Sequence, residues 1–471
     1  MKSLRSSRRG IRRAPLPSLL FGFRFPILAG MLAAAAGPAP GVPLHEDPLA
    51  EDAQDPYVGP GHAGSIAYPD AQGKVLDTFS ASNVALLSWV PIGEFPGGSG
   101  RAAEVFGYVS PSGREYALIG LERGFGFVDV TDPTAPVVLG VIPGRPSIWR
   151  EMDAGDGFAY CVHDLPSDDH ETGDGLSIVD LRQIDAGTVS LARAVTDLGL
   201  KTSHNVWYSA ESRTAWLCGS NLAGPYISGG GLLAVDLSDP LNPSYTAGTV
   251  WTETYVHDVI VRRYASGPQA GRELAYAACG EAGLKIIDVT DRENMVTLST
   301  LVYPHTGYCH DGWLAPDGRT LYLNDETDEL YDPEVPTTTT HVVDVQNPAA
   351  PVYLRSFTNG LPAIDHNHMG RGGFLYEANY RSGLRIYDVR QPGGEAEAGW
   401  FDTYPADDEP HFNGAWGVYA GLPSGTILVS DIERGLFVLR HLASDAPAPA
   451  GALRLELRGA PNPFRGAAAL R

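Results

Sequence analysis

Apolar residues in this chain recur in short alternating runs, not at helical spacing. Runs of Val, Ile, Leu and Tyr are separated by clusters of Gly, Pro and Asp, and 55 Gly and 37 Pro among 471 residues make such breaks frequent. This punctuation predicts many short strands joined by tight turns. The runs also repeat. "EYALIGLERGFGFVDVTDPTAPVVLGVI" begins at Glu115, "LAYAACGEAGLKIIDVTDRENMVTLSTLV" at Leu274 and "FLYEANYRSGLRIYDVRQPGGEAEAGWFDTY" at Phe374. Each reads as a strand, a turn with Gly, a strand ending in Asp, a polar turn and a further strand. Longer versions begin at Phe158, Thr214 and Thr320. A seventh copy, "TILVSDIERGLFVLRHL" from Thr426, stops after its second strand.

Another short strand precedes each unit, as in "HNVWYSA", "HDVIVRR" and "HDGWLAP". A complete unit therefore has four strands, a to d from the inside outward. The "DVTDP" corner is the c–d turn, where Asp bonds nearby amides and Pro presets φ. Seven units at roughly 50-residue spacing predict an all-β, seven-bladed β-propeller. The last unit lacks strand d, and "SNVALLSWVPIG" from Ser82 resembles one. Residues 83–92 are therefore expected to pair with the final blade, closing the ring and covering its edge.

The pattern resembles the LVIVD-repeat propellers, and within them the choice-of-anchor B family of exported bacterial proteins. The resemblance is carried by "GREYALIGLERGFGFVDVTDPTAPVVLG", "SHNVW", "HDGWL", "NDETDE", "DHNH", "YEANYRSGLRIYDV" and "GLFVLR", in that order between Ser82 and Leu442. It implies the propeller fold, export and a variable C-terminal anchor. It brings no established activity with it.

The ends of the chain fit that theme. Residues 1–40 read as an export signal: a basic start, an apolar stretch interrupted by Arg24, and small residues for cleavage. Residues 41–78 read as a polar linker and 79–442 as the propeller. Residues 443–471 read as a Pro/Ala linker leading to "PNPF", which resembles the start of a C-terminal sorting or anchor module. No transmembrane segment is expected in the mature chain. The location implied is extracellular, cell-surface or periplasmic. Net charge is −22, and loss of the seven basic residues in 1–40 takes it to −29. That excludes nucleic acid and anionic membranes as partners. An extracellular protein, a glycan or a small-molecule ligand remains, bound by a monomeric propeller. Cys161, Cys218, Cys279 and Cys309 form no CxxC pair.

Candidate chemistry gathers at one repeat position. Aligned on strand b, the starts of the a strands are Phe106, Arg150, His204, His257, His310, His366 and Trp416. The four histidines are 53, 53 and 56 residues apart and are followed by Asn205, Asp258, Asp311 and Asn367. Strand a lines the channel of a propeller, and the long b–c loops of blades 2, 3 and 5 open on the rim where it starts. His305, Tyr308 and His411, on d–a loops, extend the same rim.

Three readings of the ring fit. The imidazoles bond side chains of the next blade and fasten the ring; they converge on zinc, iron or copper; or they form a polar pocket in which Arg150 captures an anion and Trp416 stacks. Asp258, Asp311, Asp325 and Glu326 are further ligand-binding candidates. The loop "NDETDELYD" offers Asp325, Glu326, Asp328, Glu329 and Asp332 as oxygen donors for calcium. As a solvated charged loop, it is expected to be exposed and dispensable for folding. No hydrolase, nucleotide-binding or zinc-protease motif occurs, so no catalytic residue is assigned. The expected function is a binding scaffold acting through this rim. The alternative is a metal-dependent oxidoreductase or hydrolase centred on the four histidines.

Overall fold

The computed structural model describes residues 52–97, 100–165, 173–222 and 230–442. The expected export signal, the expected C-terminal anchor segment and parts of the long b–c loops of blades 2 and 3 lie outside the described residues. Seven antiparallel sheets follow one another along the chain and form a seven-bladed β-propeller. Blade 1 comprises Ala102–Val109, Glu115–Leu121, Gly124–Asp129 and Val137–Pro143. The inner strands of blades 2 to 7 are Arg150–Gly155, Asn205–Ser209, Asp258–Arg263, Cys309–Leu314, Asn367–Arg371 and Ala415–Tyr419.

The repeated sequence does repeated work. The aspartate closing strand c in six blades (129, 180, 236, 288, 344 and 388) accepts the amide two residues on at 2.8–3.1 Å. Just before it, the c–d ladder carries a bulge, between Phe127 and Val128 in blade 1 and at the matching step in blades 2, 4, 5 and 6. A bulge sharpens the local twist, as the steep turn of a radial blade requires. Apolar faces of neighbouring blades make the core. Between blades 2 and 3 it includes Val162, Ile178, Val206, Leu217 and Leu233.

Closure occurs where the sequence predicts it. Val84–Val90 pairs antiparallel with Gly435–His441 as the outer strand of blade 7. It differs from the other outer strands in being buried along its whole length. The preceding segment explains this: His62 bridges Trp89 and Ala67 bridges Leu86. Trp89 stacks on Phe437 at 5.3 Å, with Phe79 edge-on at 5.4 Å. Blade 6 is widened as well, since Phe79–Ser82 adds to its outer strand and Lys74–Val75 adds beyond that.

Two expectations are thereby revised. Part of the expected linker 41–78 packs on the propeller: Val75 is buried in the cluster that covers blades 6 and 7, with Tyr57 and Ala67 partly buried against it. The acidic loop is not exposed either: Asn324, Asp325 and Asp328 are buried, and the loop folds inward as a short helix, Asp328–Tyr331. All four cysteines are buried as free thiols. No helix among the described residues is long and apolar enough to cross a membrane.

Candidate metal centre

The ring histidines are placed by the backbone. His204 and His257 lie one residue before strand a, and their amides donate to Cys218 and Ala278 at the end of strand b, at 2.9 and 2.8 Å. That bond sets the same register in successive blades and turns each imidazole toward the channel. Ring centroids are 4.2 Å apart for His204–His257, 4.0 Å for His257–His310 and 4.4 Å for His310–His366. Trp416 continues the arc, 4.9 Å from His366. The four histidines and Trp416 therefore stand side by side as one arc.

His204, His257 and His366 are oriented through Nδ1. His257 Nδ1 donates to the His310 carbonyl at 3.0 Å, and His366 Nδ1 donates to the Trp416 carbonyl at 2.6 Å. His310 makes the corresponding backbone contact to His366, with looser geometry. His204 Nδ1 faces Asp164 at 3.3 Å. The carbonyl bonds hold the proton on Nδ1 and leave Nε2 as a lone pair. Glu326 lies across these atoms: its carboxylate is 3.6 Å from His310 Nε2 and 3.5 Å from His366 Nε2. Tyr380 donates to Glu326 at 2.7 Å, and the Glu326 amide donates to the Tyr308 carbonyl at 3.1 Å.

The protonation states follow from burial. His366 is pushed down to about 3 by burial, with the Trp416 carbonyl opposing. His310 is held well below its ordinary value by burial and by the histidines around it. Both are neutral at pH 7. Burial raises Glu326 to about 7, with the Tyr380 hydrogen bond opposing.

The donor set suits a transition metal. Ligating atoms of His257, His310 and Glu326 all lie within 4.8 Å of one another. Around an ion with bonds of about 2.1 Å, ligand atoms sit at most about 4.2 Å apart, so a small inward movement completes a shell. Neutral imidazoles with Nδ1 bonded to carbonyls match the usual outer shell of metal-bound histidine.

Other predicted residues stand elsewhere. Arg150 does not complete the rim: its buried guanidinium lies over the Phe125 ring at 4.9 Å and donates to the Arg145 carbonyl. The strand alternates, so Arg150 points between blades and Glu151 points into the channel. Phe106 packs on Tyr419; Ala103, which packs with Trp416, is the blade 1 counterpart instead. Asp325 does not face the ring, because its oxygens accept from Tyr303, Gly307 and Tyr308. Asp258 and Asp311 lie one residue further along the channel. Their carboxyl groups meet, near Glu104 and Glu151, and Asp311 pairs with His368 at 3.0 Å. Blade 7 has Gly417 at this level, and a Cβ there would come within 2.1 Å of Glu104. His305 and His411 pair with Asp332 and Asp52, both at 2.9 Å, away from the ring.

Asp164 and Tyr380 escaped the sequence reading, which aligned only the starts of strand a. Asp164 and Glu326 each come one residue after strand b, in blades 2 and 5. Aligning strand b ends would have paired them as carboxylates at one repeat position that face the ring imidazoles.

Fold and site together define a seven-bladed propeller with a histidine–carboxylate cluster at one end of its channel. No family model and no curated protein matches the chain. Among solved structures, a protein from Lactobacillus plantarum is 13% identical, with a TM-score of 0.46 over 70% of this chain and 88% of its own. The periplasmic gluconolactonase of Pseudomonas aeruginosa is also 13% identical, with a TM-score of 0.46 over 70% and 89%. Neither likeness bears on the site.

Proposed function

We propose that this chain is an exported β-propeller that holds one divalent transition-metal ion through His257, His310, His366 and Glu326. Chemistry on a small molecule would take place at that ion. The observation that carries the reading is the orientation of His257 and His366. Carbonyl acceptors hold their Nδ1 atoms, so their Nε2 lone pairs face the space that His310 and Glu326 share. Such a set suits zinc, iron or copper. Zinc would make the site a hydrolase, through activated water; iron or copper would make it an oxidoreductase. The ring histidines are only 2–6% exposed. A protein or glycan surface cannot touch them, so the ligand is small, and the rim-scaffold function stands second. Export rests on the character of residues 1–40, and membership of the LVIVD-repeat, choice-of-anchor B group on the motifs between Ser82 and Leu442.

Elemental analysis of protein purified without a histidine tag tests the proposal. The expected result is about one equivalent of a transition metal per chain, retained through gel filtration. Protein that neither carries such an ion nor takes one up on titration would return the ring to the fastening role.

A further inference from the structure

We infer that the ligand of this site is a small molecule with a flat apolar body and one metal-ligating head group, an inference that rests on the metal reading above. Seven of the eight hydrophobic clusters among the described residues each fill the interface between two neighbouring blades. The eighth does not. It joins Ile148 and Trp149 from the connection into blade 2, Ile364 from the connection into blade 6, Tyr380 from the b–c turn of blade 6, and Trp416 and Ile432 from blade 7. These positions lie where strand a starts and strand b ends, on the rim that carries the histidines. This cluster therefore spans the channel mouth instead of a blade interface.

The cluster meets the imidazole arc directly. The Tyr380 and Trp416 rings are 4.6 and 4.9 Å from the His366 ring, and Tyr380 also donates to Glu326 at 2.7 Å. The arc occupies blades 3 to 6, from His204 to His366, so the facing wall comes from blades 7, 1 and 2. Trp416 stands there for blade 7 and Trp149 leads into blade 2, while the Arg150 guanidinium is turned away over Phe125. A polar body laid against these rings would lose water without gaining a partner. An apolar one gains by leaving water, and a flat one also stacks on indole.

Burial sets the size and the way in. Ile148, Trp149 and Trp416 are 4–6% exposed, so the mouth is closed to anything large. Leu330, on the short helix of blade 5, and Phe412, edge-on to Tyr380 at 5.3 Å, are only partly buried against the cluster. They are the side chains that a ligand displaces on its way to Trp149 and the ion. Its head group then faces the imidazole Nε2 atoms, and its body takes their place against Trp149 and Trp416.

The test uses the full chain charged with zinc chloride, freed of excess ion by gel filtration and assayed for bound zinc. Acetohydroxamic and benzohydroxamic acid present one ligating group on a methyl and on a phenyl body. Calorimetry should show benzohydroxamic acid binding about thirtyfold more tightly. Trp149→Ala should cut that ratio to about threefold while leaving bound zinc unchanged. If Trp149→Ala does not fold, Trp149→Leu serves, and the ratio should again fall. A zinc-bearing chain that binds the two acids alike, binds neither, or keeps the full ratio in the variant overturns the inference and leaves the metal reading standing. A chain that takes up no zinc fails the metal reading instead. 4-Fluorophenol then probes the mouth by itself: fluorine NMR should show line broadening that the Trp149 variant abolishes, and no broadening overturns the inference as well.

Discussion

Metal affinity in this site should depend on pH through one carboxylate and not through the histidines at its centre. Glu326 sits at about 7 in the metal-free chain, whereas His366 sits at about 3 and His310 is far below its ordinary value. Metal binding requires the ionised carboxylate, so it displaces the fraction of a proton that Glu326 carries. For a group with a pKa of about 7, that fraction is about one half at pH 7 and about nine-tenths at pH 6. Between pH 8 and pH 6, Kd should therefore rise about tenfold, or about 1.4 kcal/mol. Glu326→Gln should bind more weakly and lose this dependence. If His310 and His366 titrated near the ordinary value of about 6.5, roughly a 16-fold loss would survive in that variant. Competition with a chromogenic chelator across this pH range measures both proteins. Two buffers of different ionisation enthalpy give the protons released, about half a proton per ion at pH 7. Persistent pH dependence in Glu326→Gln, or none in the native protein, would falsify the assignment of neutral buried imidazoles facing a protonatable Glu326.

Three further outcomes follow from the packing and charge. Trp89→Ala removes a stack on Phe437 and an indole bond to the Arg434 carbonyl at 2.8 Å. It should cost about 4 kcal/mol, or about 5 °C in Tm at roughly 2 cal/mol/K per residue over about 390 residues. Val296→Ala, on the exposed outer strand of blade 4, should change stability by less than about 0.5 kcal/mol; equal losses at the two positions would count against closure through Val84–Val90. The metal-free protein should be more stable at pH 6.5 than at pH 8. Burial raises Glu104 to about 8 and Glu326, Asp153 and Glu433 to about 7, so the folded chain keeps protons that the unfolded chain has lost. Below about pH 6.5 the depressed His310 and His366 work the other way, and the gain should level off; thermal unfolding in chelator that improves steadily toward pH 8 contradicts this balance. His310→Ala should lose the bound transition metal while circular dichroism keeps the native β signature, since every blade retains its own ladder; full metal occupancy in that variant removes His310 from the site.

What could be read from the chain alone was whatever repeats. A four-strand unit ending in Asp recurs because each blade solves the same local problem: twist the sheet, turn at c–d, and pack on the next copy. Seven copies with one strand missing, and a spare strand near the start, are enough to derive a closed propeller. The 53-residue spacing likewise places His204, His257 and His310 on one ring, since equal spacing in equal blades means equal height in the channel. Tertiary structure alone decided everything that depends on which way a side chain turns and what it meets from another blade. Arg150 holds the ring position yet inserts between blades over Phe125. Glu326, from a loop whose charge suggested solvent, turns inward to His310 and His366. Repetition encodes position along a blade, whereas contacts across the channel join unlike residues of different blades and leave no period in the sequence.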